Sequence, residues 1–73
     1  MAAQFSHRKA LGKAIRLYRK KAKMTQEQLG EAANLNPKYI GEVERMRKTI
    51  SLDALARIAE ALKVRLRDLV REA

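Results

Sequence analysis

The chain has 73 residues, no Cys and one His, which excludes a disulfide framework and a thiolate metal site and leaves room for one small packed domain. Seventeen Lys and Arg against eight Asp and Glu give a formal charge of +9; this points to a polyanionic partner, the plainer alternative being a heavily solvated surface. No apolar run approaches the ~20 residues of a membrane span and residues 1–10 lack a signal-peptide core, so a cytoplasmic location is expected, with no cofactor and no small-molecule ligand.

Leu11, Ile15, Tyr18 and Ala22 recur at helical spacing and predict a first helix from about Ser6 to Ala22, with Ser6 as its cap. Its other face carries Lys9, Lys13, Arg16, Lys20 and Lys21, either a solvated charged face or a reach toward phosphates. His7 reads as a surface residue, since the chain has no second His or Cys to share a metal with it.

Thr25 and Gln28 have the spacing of a capping box, so a second helix begins at Gln26. Asn34, tolerant of the left-handed conformation, suits its stop. Asn36 then caps a third helix with Pro37 at its first position, and Leu35 with Ile40 have the spacing of a hydrophobic staple. Ile40 and Val43 should face inward, while Lys38, Gly41, Glu42 and Arg45 face out. Two capped helices around so short a turn are the grammar of a helix-turn-helix.

Residues 45–49 are basic and turn-like; Ser51 then caps a fourth helix through about Leu62, with Leu55, Ile58, Ala59 and Leu62 as its core stripe. Lys63-Val64 interrupts the pattern before a short fifth helix bearing Leu66, Leu69 and Val70. These three can close the bottom of the core, but they offer more apolar surface than one small core needs, so a homodimer interface is the preferred reading. The expectation is an all-α, five-helix single domain over residues 1–73, its core at about 6–71.

The pattern Leu-x-x-x-Ile-x-x-x-Arg, Thr-Gln-x-x-Leu, Tyr-Ile-x-x-x-Glu-Arg, then Ile-Ser-Leu-x-x-Leu-x-x-Ala-x-Ala-Leu resembles the Cro/repressor-type (XRE-like) helix-turn-helix regulators over roughly residues 11 to 70. The small size and the Glu-Arg-x-x-Arg/Lys-x-Ile-Ser-Leu connection look most like the controller proteins of restriction-modification systems. The resemblance implies a lambda-repressor-like fold binding double-stranded DNA. By position, Gln26 corresponds to a phosphate-binding glutamine that braces the recognition helix, and Arg19 and Glu44 to a partly buried structural ion pair. The base-reading positions fall on Pro37, Lys38, Gly41 and Glu42. Lys38 can donate to guanine and Glu42 accept from cytosine; their alternatives are a phosphate contact for Lys38 and an intrahelical pair with Arg45 or Lys38 for Glu42. Gly41 would supply clearance rather than contact. Tyr39, Arg45, Arg47 and Lys48 are placed on the DNA backbone, Arg47 as the residue to reach a narrow minor groove. Gly30 stands where relatives usually carry Ala, Lys23 where they often have a helix-ending Gly, and Arg65 in place of a small cap.

Two functions compete. The first is a dimeric transcriptional regulator that reads a pseudo-palindromic operator. The second is an antitoxin or bridging factor acting through protein contacts, which usually needs a partner-binding segment for which both flanks look too short. An enzyme is the weakest reading: no convergent acid–base set or phosphate-binding glycine loop is present.

Overall fold

Five α-helices follow one another in the computed structural model, which describes the backbone of residues 2–72 and the side chains of 10–71: α1 (Ala2–Lys21), α2 (Gln26–Ala33), α3 (Pro37–Glu44), α4 (Leu52–Leu62) and α5 (Leu66–Glu72). The helix starts follow local chemistry. Gln28 N–H donates to the Thr25 hydroxyl at 3.0 Å while Thr25 N–H donates to Gln28 Oε1 at 2.9 Å, completing the expected capping box. Asn36 accepts from Lys38 N–H at 2.8 Å with Pro37 at the first helical position, and Ser51 accepts from Ala54 N–H at 3.1 Å. At α5, Asp68 reaches back to accept from Arg65 N–H at 3.0 Å, which makes up for the missing small cap.

The first helix departs from expectation. It begins at Ala2, so Ser6 lies inside it rather than at its start. Ala2, Ala3 and Gln4 are good helix formers and no Gly or Pro precedes Gly12, so nothing local stops the helix from running back past Ser6. The side chains of His7 and Lys9 lie outside the described residues. Ala22 is exposed, since the helix ends at Lys21; Ala14 and Arg19 are buried there instead.

Four helices stop the same way. Lys23, Asn34, Met46 and Lys63 all adopt the left-handed conformation, with φ between 58 and 64°. At each stop the paired bonds of a Schellman motif form: Lys23 N–H to Lys20 and Met24 N–H to Arg19, Asn34 to Glu31 and Leu35 to Gly30, Met46 to Val43 and Arg47 to Glu42, Lys63 to Glu60 and Val64 to Ala59. Only Asn34 belongs to the residue types that take this conformation cheaply.

The glycines serve close approach instead. A β-carbon on Gly12 would lie 2.7 Å from the Val43 carbonyl oxygen, and one on Gly30 would lie 2.7 Å from that of Leu35. An alanine at 30 would therefore press α2 against the turn that leads into α3.

The largest fully buried side chains are Ile15, Leu29, Ile40, Ile58 and Leu69, one from each helix. Burying each contributes about 2 kcal/mol. This corrects the assignment of Leu69 to a dimer interface: its side chain is 0% exposed within its own subunit. A helix as short as α5 needs an anchor of its own to stay docked, and Leu69 supplies it. Leu66 is half-buried against the same core, and Val70 remains 52% exposed. No described helix is long and apolar enough to cross a membrane.

Candidate nucleic-acid interface

Glu44 and Glu42 sit two positions apart on α3, so the helical turn sends them to nearly opposite faces. Glu44 points inward and is 8% exposed, beside Arg19 at 9%. The guanidinium grips it in a fork, Nε to Oε2 at 2.7 Å and Nη2 to Oε1 at 3.0 Å, while Nη1 donates to the Met24 carbonyl at 2.8 Å. Hydrogen bonding to Glu44 raises the Arg19 pKa above its ordinary value, burial opposes the shift, and the carboxylate charge adds to it. This ties α1 to α3 and to the start of α2.

Gln26 completes the inner network. Its Nε2 donates to Glu44 Oε1 at 3.1 Å, so the amide is oriented by a group that can only accept. The resemblance implies that Gln26 braces α3; in the structure this bond joins the start of α2 to that helix. No buried polar side-chain atom among the described residues lacks a partner.

The outer face is set differently. Lys38 is exposed and Tyr39 half-buried, with Asn36, Lys38, Tyr39, Glu42 and Lys48 lining one shallow, open depression. Pro37 is exposed at the leading end of α3. Glu42 is paired, at 3.7 Å, with Lys48 rather than with Arg45 or Lys38. The fold-back that ends α3 explains this partner: Arg47 N–H donates to the Glu42 carbonyl at 2.7 Å and carries the basic turn alongside the helix. Arg45, Arg47 and Lys48 are all exposed on that turn. Thus Lys38, Glu42, Arg45, Arg47 and Lys48 are brought to α3 and its trailing turn, while Leu66 and Val70 lie apart on α5.

Gly41 is buried because the side chains of Gln26 and Arg45 lie over it. Among the described side chains of α1 the exposed cations are Lys13, Arg16, Lys20 and Lys21, the last lying 5.5 Å from the centre of the Tyr18 ring. Among the described residues no group of His, Asp or Glu is arranged to hold a metal ion.

The helix-turn-helix family profile matches residues 15–69. The chain is 40% identical over 62 residues to the immunity repressor protein of Bacillus phage phi105, covering 85% of this chain and 43% of that protein. It is 40% identical over 52 residues to the control protein C.SmaI of Serratia marcescens, covering 71% of this chain and 62% of that one. It therefore spans less than two thirds of either curated relative. Among solved structures it is similar to the restriction-modification controller protein C.AhdI from Aeromonas hydrophila, with a TM-score of 0.82 and 31% identity over 84% of this chain and 92% of that chain.

Proposed function

This chain belongs to the helix-turn-helix family, and from that premise we propose that it is a sequence-specific, double-stranded-DNA-binding transcriptional regulator. The observation that carries the reading is the division of labour on α3: its inner face is fixed by Ile40, Val43 and the Arg19–Glu44–Gln26 network, and its outer face offers polar side chains flanked by exposed cations. Its relatives are a repressor and control proteins rather than enzymes, and this chain groups with them as a regulator.

In this reading α3 enters the major groove. Lys38 donates to guanine O6 and N7, Glu42 accepts from cytosine N4, and Pro37 touches a thymine methyl. Gln26, Tyr39, Arg45, Arg47 and Lys48 hold the phosphate backbone, with Arg47 nearest the minor groove. A homodimer would set two copies of α3 roughly 34 Å apart on a pseudo-palindromic operator. Val70 and the open part of Leu66 are its candidate contact, without Leu69. Such a protein works in the cytoplasm, where the DNA is.

Selection of duplexes from a random library, followed by binding at two salt concentrations, tests the proposal. A preferred site with steep salt dependence is expected, because several Lys and Arg displace counterions. Lys38→Ala should flatten preference at one base position, whereas Arg47→Ala should weaken all sequences alike. Absence of any preferred duplex, or a stoichiometric heterologous protein captured in its place, would favour the antitoxin or bridging role.

A further inference from the structure

Gly41 is an odd choice on the face of α3. Apart from proline, glycine is the least favourable residue for a helix interior, and α3 is only eight residues long. It makes no left-handed turn, for its φ is negative like that of the other glycines. What it does provide is space. A β-carbon there would lie 3.2 Å from Gln26 Oε1, 3.5 Å from Gln26 Nε2 and 3.3 Å from Arg45 Nη2. Two long polar side chains, one from the start of α2 and one from the turn that ends α3, thus converge over a single missing methyl group.

Both carry donors that the protein leaves unused. Gln26 commits one amide N–H to Glu44, and its second has no acceptor among the described residues. The Arg45 guanidinium has no ion-pair or hydrogen-bond partner among them either. Because the Glu44 charge is already engaged by Arg19 in a fork, the charge on Arg45 stays uncompensated and open to an anion. Resting on the DNA-binding reading above, we propose that Gly41 is a positioning residue whose missing side chain lets Gln26 and Arg45 close as a two-donor clamp on one backbone phosphate. This replaces groove clearance as the reason for the glycine. It assigns position 41 to affinity and not to the reading of bases.

The three neighbours of a Gly41 β-carbon are ends of flexible side chains, none of them backbone. Gly41→Ala should therefore fold with an unchanged or raised Tm while pushing both donors aside. Duplex binding should fall about tenfold, as for loss of well-placed hydrogen bonds to a charged group. The loss should be equal across operator variants, and the salt slope should shrink by about one unit as Arg45 leaves its phosphate. The decisive arm repeats Gly41→Ala in a Gln26→Ala, Arg45→Ala background, where its effect should vanish. The inference is overturned by parental affinity in Gly41→Ala, by a loss that differs between base variants, by an equal loss in the double-alanine background, or by a lowered Tm. In all four cases the parent still binds its duplex and the regulator reading stands. A parent that binds no duplex removes the regulator reading and the clamp together.

Discussion

The two carboxylates of α3 have the same chemistry and opposite circumstances. Glu44 accepts three hydrogen bonds from Arg19 and Gln26 in a buried seam, whereas Glu42 meets only the Lys48 ammonium at 3.7 Å, with 57% of the Lys48 side chain in solvent. The inner charge is held because leaving it unpaired would be costly. The outer one is loosely held, and a loosely held carboxylate can exchange its partner for a base amine at small cost. One short helix thus separates what fixes its own pose from what is left available for another molecule.

The sharpest way to break this contrast is Glu44→Ala. It strands the Arg19 guanidinium in the seam and should destabilise the domain by about 3 kcal/mol or more, read as a shift in the urea midpoint. The sign of the pH dependence is also fixed. The Arg19 pKa is raised in the folded state, so its contribution is complete below the ordinary guanidinium value and is lost only as strong alkali titrates the folded form. A stability step near neutral pH attributable to Arg19 would contradict this. Gly12→Ala attacks the inner side without touching a charge. Its β-carbon would meet the Val43 carbonyl oxygen at 2.7 Å and that of Glu44 at 3.1 Å, so overpacking should cost about 2 kcal/mol by thermal unfolding. At the small end, Lys48→Ala should change stability by less than about 0.5 kcal/mol, because the outer pair is weak and exposed. If Glu42 reads cytosine as proposed, a change in preference between cytosine and its replacements is where that substitution should register. If Lys48→Ala destabilised as much as Glu44→Ala, the distinction between the two faces would collapse.

What could be read from the sequence follows the reach of each interaction. Thr25 with Gln28, Asn36 with Pro37, and Ser51 announce helix starts because each acts on backbone within three residues of itself. The Arg19–Glu44 pair spans 25 positions, so only resemblance to a family connected its ends. The burial of Gly41 depends on a side chain from another helix, and nothing local to α3 announces it. Leu69 was ambiguous for a related reason: an apolar stripe records that a face is covered but not whether the cover is its own core or a second subunit. Met46 and Lys63 gave no sign of their left-handed backbone, because neither residue type favours it. Gly30 was legible as a close contact between α2 and α3, and a β-carbon there would indeed lie 2.7 Å from the Leu35 carbonyl oxygen.

The placement of the glycines has a further effect on how the molecule meets a partner. All three lie within helices, so the connections between helices contain none. Segments without glycine sample fewer conformations, and each of the four left-handed stops is held by its own pair of backbone bonds. Joints of this kind give little hinge motion. Docking should therefore spend little free energy on ordering the protein, leaving any large conformational adjustment to its partner.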